Sequence, residues 1–345
     1  MVRESNGAPM SGRARTGRRI EDELAELHAL SGASEADVVP ALRRALRERS
    51  SAVAEQAALI ARERGITALQ PELVHAFERF QVDPVKSDPG CRAKQAVLET
   101  LDALDANVPE TFLAAARYVQ REPQWREPVD TAVGVRSCAI LSLARWGDPD
   151  VPLLAGELLV DPEWPVRQAA ADALGVFGEQ ATAGALLVVL AQEGEPAVIT
   201  SCMQSLLRLA PEWGLRRLRG ALFGREEIAH ECALLALTQS RRDDALAAVL
   251  EYIASEVHTA RREAAIRALG LHRSERALAA LLAFIAEGSL STAKAATAAL
   301  SARRFDTGVR ARALAAVRAN GARAVKAVFD EVFGDVAADP LAPRG

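Results

Sequence analysis

Leucine recurs along this chain at a spacing that leaves little choice of architecture: Leu143, Leu174, Leu206, Leu237, Leu269 and Leu300 stand 31, 32, 31, 32 and 31 residues apart. A fixed period of that size marks a supersecondary unit that is repeated and stacked, because one copy alone cannot bury its apolar face. A structural repeat must also keep its chemistry in other columns. Five residues before each leucine stand Cys138, Ala169, Ser201, Cys232, Ala264 and Ala295, and four before stand Ala139, Ala170, Cys202, Ala233, Ala265 and Ala296. Only small side chains occupy either column, which lets helix axes approach closely. Gly175 and Gly270 directly follow their leucines and read as helix stops.

A second helix is expected in each unit. Its apolar residues are Ala183, Leu186 and Leu190, then Leu215, Leu218 and Leu222, then Leu246, Val249 and Ile253, then Leu278, Leu281 and Ile285. Offsets of three, four and seven put each set on one helical face. No strand-like alternation competes with this pattern.

The pattern resembles HEAT repeats over roughly residues 51 to 333, most clearly where Asp161-Pro162-Glu163-Trp164-Pro165-Val166-Arg167 runs on to Ala173-Leu174-Gly175. The resemblance implies an all-α fold, a right-handed α-solenoid of stacked antiparallel helix pairs. Upstream, Ser51 to Arg64 and Leu73 to Phe80 read as one pair, and Arg92 to Leu104 opens another. After Leu300, a longer loop from Arg303 to Gly308 precedes two last helices ending near Phe333.

A solenoid grows by adding units, so 345 residues are expected as one repeat domain over 51–333. An arginine-bearing flexible tail (1–19) and a helical cap (20–50) precede it, and a short tail (334–345) follows. The tail carries Arg3, Arg13, Arg15, Arg18 and Arg19 without an apolar run of signal-peptide length. With no membrane-length apolar stretch and four scattered cysteines, a cytoplasmic protein is expected. Arginine outnumbers lysine 38 to 4, which reads as genomic composition.

The net charge of −4 argues against a dedicated nucleic-acid binder. One segment runs the other way: Arg303, Arg304, Arg310, Arg312, Arg318, Arg323 and Lys326 face one acid, Asp306. This reads either as a solvated helix face or as a site for an acidic partner or phosphate-bearing ligand.

Catalytic signatures are sparse. Cys138, Cys202 and Cys232 share columns with Ala and Ser, so they read as small core residues, and no zinc-type Cys-x-x-Cys spacing occurs. HEAT-like iron enzymes that hydroxylate a lysine-derived residue use four His-Glu pairs as ligands. His230-Glu231 is a single pair, and His230 stands in the column of Arg136, Arg167 and Arg262, so a polar helix-surface place is expected for it. HEAT-like DNA glycosylases and bilin-attaching chaperones offer further precedents, but no motif of theirs is present. Phosphate-loop, Gly-x-Ser-x-Gly and His-Glu-x-x-His patterns are also missing from the sequence. No cofactor and no metal are expected.

The period breaks once. Leu101, the preceding anchor, stands 42 residues before Leu143, about eleven more than usual, and the surplus lies around Tyr118 to Thr131. The insertion holds Trp125 between Pro123 and Pro128. Connections at Gln81–Gly90 and Asp161–Pro165 join a second helix to the next first helix, as this one does, so stacking should bring all three to one edge. Lys86, Asp88, Lys94, Glu122, Trp125, Asp130, Arg136 and Trp164 are then expected as neighbours and candidate partner- or ligand-binding residues, with Trp146 and Trp213 on the opposite edge. The bland alternative makes Asp88, Asp148 and Asp161 helix caps before proline, pairs the lysines with nearby carboxylates, and uses Trp125 to plug the widened gap. Segments 83–94 and 118–136 also resemble parts of a group of bacterial HEAT-repeat proteins, a resemblance that supplies no reaction and no ligand.

The leading expectation is a non-catalytic interaction or scaffold protein whose partner is another protein. The second is an enzyme or ligand-binding accessory protein with a polar pocket in 83–136. The third is nucleic-acid binding through 303–326.

Overall fold

The computed structural model describes residues 12–125 and 127–334. Of the expected tails, residues 1–11 and 335–345 lie outside the described residues, while the backbone of 12–19 opens the first helix. The chain forms two compact units, Met1–Phe177 and Gly178–Gly345.

The first unit runs α1 (Gly12–Ala29), α2 (Glu35–Arg47), α3 (Ser51–Glu63), α4 (Gln70–Arg79), α5 (Pro84–Ser87), α6 (Arg92–Ala103) and α7 (Pro109–Ala116). It continues through β1 (Arg121–Glu122), β2 (Val129–Asp130), α8 (Val133–Trp146), α9 (Val151–Leu158) and α10 (Trp164–Phe177). Helices α3, α6, α8 and α10 stack side by side as first helices, and α4, α7 and α9 each pack on the first helix that follows them. The small column explains the stacking: Ala139 and Ala170 are fully buried, as are the anchors Leu101 and Leu143, with Leu174 at 1% exposure. Ion pairs staple neighbouring repeats, among them Arg62–Glu99 at 2.8 Å and Arg92–Glu55 at 2.9 Å.

The second unit contains α11 (Ala183–Leu190), α12 (Pro196–Leu209), α13 (Pro211–Leu222), α14 (Glu227–Gln239), α15 (Asp243–Ser255) and α16 (Thr259–Leu269). After them come α17 (Glu275–Glu287), α18 (Leu290–Ala299), α19 (Thr307–Asn320) and α20 (Arg323–Phe333). First helices α12, α14, α16 and α18 stack in turn, and second helices pair α13 with α15 and α17 with α19. Leu206, Leu237, Leu269 and Leu300 are all buried, as are Cys202, Ala233, Ala265 and Ala296. The sequence pattern therefore produces an all-α solenoid arrangement of helix pairs within each unit.

Three local expectations change. Gly175 lies inside α10, and the left-handed residue beyond that helix is Gly178 (φ 85°). Gly270 does follow α16, but its role is close approach: a Cβ there would lie 2.2 Å from the Ala299 carbonyl oxygen. The insertion is not merely loop, because β1 and β2 pair antiparallel, with Arg121 opposite Asp130 and Glu122 opposite Val129. Two-residue strands are too short to leave an alternation in the sequence.

Candidate functional site: a hairpin anchored on buried ion pairs

Asp88 sits in the connection between α4 and α6. One carboxylate oxygen accepts the Ala93 amide and the other accepts the Lys94 amide, each at 3.0 Å, so the residue caps α6 across an intervening turn. The same carboxylate holds Lys94 Nζ at 2.9 Å, and that ammonium also donates to the Phe80 carbonyl at 3.1 Å. Both side chains are wholly buried. Pairing and hydrogen bonding make such burial tolerable.

The turn after Asp88 is left-handed at Gly90 (φ 75°) and at Cys91 (φ 55°), which directs the Gly90 amide to Glu122 Oε1 at 2.6 Å. Glu122 on β1 also accepts from Gln120 Nε2 at 2.7 Å and Thr131 Oγ1 at 2.8 Å. Burial alone raises the Glu122 carboxyl, but the bonds from Gly90, Gln120 and Thr131, together with nearby Lys94, hold it below the usual carboxylate range. Gln120, 2% exposed, also donates to the Asp88 carbonyl at 2.9 Å, and Tyr118 donates to Gln120 Oε1 at 2.8 Å. Burial pushes the Cys91 thiol up to about 11.

Arg136 on α8 closes the other side. Its guanidinium reaches Asp130 at 2.7 Å, Asp161 through two bonds of 3.0 and 3.1 Å, and the Tyr118 carbonyl at 2.9 Å, while the residue is 1% exposed. Asp130 turns its other oxygen to the Ala132 amide at 2.9 Å and the Gln120 amide at 3.2 Å. Three connections are thereby tied together: 81–91 to 118–131 through Gln120 and Glu122, and 118–131 to 161–163 through Arg136 of α8.

The network joins Asp88, Lys94, Glu122, Asp130 and Arg136 through Gln120, and the candidate residues divide into two kinds. Asp88, Lys94, Asp130 and Arg136 are turned inward and spend their hydrogen-bonding capacity on neighbouring side chains and on the backbone, so in this structure they act as internal fasteners. Glu122 is half-buried and anchors the hairpin. Trp125 is fully exposed, which corrects the reading of it as a plug, and Trp164 is 43% exposed at the start of α10. Lys86 is exposed and pairs with Asp83 at 3.0 Å. Asp148 and Asp161 accept the Asp150 and Glu163 amides two residues on, ahead of their helices. Trp146 packs edge-on to Phe112, with ring centroids 4.7 Å apart.

Gln120 and the pairing of Asp161 with Arg136 are not among the sequence expectations, although a signal for part of the network exists. An acid precedes a base by six residues at Asp88/Lys94, Asp130/Arg136 and Asp161/Arg167, and each base stands seven before its anchor leucine. His230 belongs to that column and is likewise buried, at 2%, not on the helix surface, with Nδ1 2.7 Å from the Leu222 carbonyl. Among the described residues no group of three or more His, Cys, Asp or Glu side chains forms a metal-binding cluster. The segment 303–326 is partly neutralised in place: Arg312 pairs with Glu275 at 2.8 Å and Lys326 with Asp330 at 2.5 Å, while Arg303 donates to the His272 carbonyl. No helix among the described residues is long and apolar enough to cross a membrane.

These features define an all-α repeat protein built from stacked helix pairs. A family profile for HEAT repeats matches residues 129–207. No curated protein matches the sequence. Similar solved structures include human deoxyhypusine hydroxylase, 19% identical with a TM-score of 0.33, covering 79% of this chain and 99% of that one. The CpcE–CpcF complex of phycocyanin lyase from Nostoc sp. is 16% identical with a TM-score of 0.37, covering 70% and 89%. An engineered protein is 15% identical with a TM-score of 0.36, covering 95% and 97%.

Proposed function

We propose that the chain is a non-catalytic interaction or scaffold protein, with a helical cap over 20–50 and a repeat array over 51–333, that engages another protein through the 121–130 hairpin and its edge. The observation that carries this reading is Trp125, wholly exposed on a hairpin whose base is locked by Glu122, Gln120 and Asp130. Val119 and Val129 add exposed apolar surface at 52% and 41%. An aromatic side chain on a fixed base loses little freedom on binding, and tryptophan is over-represented among residues that dominate interfaces. The buried ion pairs serve this purpose indirectly, by keeping the base in one position.

The test starts from affinity capture with the full chain and with a Trp125→Ala, Trp164→Ala double variant, followed by titration of the purified partner against both. A loss of about tenfold or more in affinity for the double variant is expected, the size of one interface residue worth roughly 1.4 kcal/mol. Equal recovery and equal affinity would end the proposal.

A further inference from the structure

A different surface, in the second unit, carries an independent inference. Two cavities of about 540 and 760 Å³ adjoin, sharing Gln239, Ser240 and Arg241 in their walls. They lie where first helices turn into second helices: at Arg208 in the last turn of α12, after α14 at Arg241 and after α16 at Arg273. Those three arginines, 33 and 32 residues apart in sequence, are exposed, and among the described residues none has an acidic partner. The nearby charges are otherwise engaged. Arg242 is held by Asp244 through bonds of 2.9 and 2.6 Å, Glu275 by Arg312, and Asp306 accepts the Gly308 and Val309 amides that open α19. Leu271 and Phe305 line the larger cavity and stay 42% and 62% exposed.

The geometry points to a trough that binds an extended acidic peptide of a partner protein. Stacked helices stand about 8–10 Å apart, so arginines from successive repeats recur at roughly that interval. An extended chain in the polyproline II conformation has three residues per turn and advances about 3.1 Å per residue, so carboxylates three residues apart share one face and meet successive guanidiniums. An apolar residue among them would cover Leu271 and Phe305. Three unpaired cations beside apolar surface suit such a peptide better than a phosphate backbone, which demands a denser positive face.

The probe is a fluorescein-labelled peptide with glutamate at every third position and one leucine, followed by anisotropy with the full-length protein at low salt. Saturable binding is expected, weakened roughly five-fold by each of Arg208→Ala, Arg241→Ala and Arg273→Ala, and reduced further by added salt. The Trp125→Ala variant should bind this peptide unchanged, which separates the trough from the hairpin. Thermal unfolding of each arginine variant should match the parent, since these side chains hold nothing in place. The inference is overturned by absent binding, by a triple variant that binds as the parent does, by equal binding of a lysine-substituted peptide, or by single-stranded DNA competing as well as the peptide.

Discussion

Lys94 Nζ lies 2.9 Å from the Asp88 carboxylate with neither side chain reached by water, and the amide of the same Lys94 donates to that carboxylate as well. One acid therefore fixes both the start of α6 and the side chain that pins the preceding connection.

Removing one partner should leave the other charged and stranded. Lys94→Met is expected to destabilise the first unit by about 3–5 kcal/mol in urea unfolding. Asp88→Asn combined with Lys94→Met should cost less than the sum of the two single changes, because the stranded charge is gone. A single-variant loss below about 1 kcal/mol would show that the pair is solvated in solution.

Arg136 makes a different demand, because one planar fork serves two carboxylates and a carbonyl. Arg136→Lys keeps the charge and loses the fork, and should cost about 1.5–3 kcal/mol. Retention of parent stability would mean that charge alone suffices there.

Glu122 should give the hairpin a pH response. Its folded pKa lies below the ordinary value, so its contribution is complete above about pH 4.3 and is lost as pH falls through the lower folded value. The Gly90 amide resonance, bonded to Glu122, should move in that window and stop moving in Glu122→Gln. A midpoint at or above the ordinary glutamate value would contradict the anchoring role.

Two glycines should respond oppositely to alanine. At Gly270 the added carbon meets the Ala299 backbone, so Gly270→Ala should lose about 1–3 kcal/mol. At Gly156, inside α9, nothing lies within 4 Å, and Gly156→Ala should gain up to about 1 kcal/mol through the reduced freedom of the unfolded chain. Melting temperatures of the two variants decide the matter.

The thiols should be inert in the folded protein. Burial raises Cys91 and Cys138 to about 11 and also raises Cys232, so little thiolate exists near neutrality. Iodoacetamide at pH 8 should label none of these three until denaturant is added. Rapid native labelling of Cys91 would show that the turn at 90–91 opens.

Helix placement was legible because burial in a stack is periodic. The leucine row and the small column each obey one rule at every repeat, and Leu143 through Leu300 are buried as that rule requires. The hairpin was half legible: a 42-residue interval announced an insertion, but two-residue strands leave no period to read. The candidate site was least legible. Lys86 and Lys94 look alike in sequence, yet one is exposed and the other fully buried.

By itself, the sequence determined that this protein is a row of helix pairs and where the row is interrupted, because side-chain size and hydrophobic period are properties of single positions. Only the tertiary structure decided which charges are fasteners and which surfaces are open. That outcome depends on partners far along the chain, as with Arg136 and Asp161, or Gly90 and Glu122, and no local spacing encodes a meeting across 25 or 32 residues.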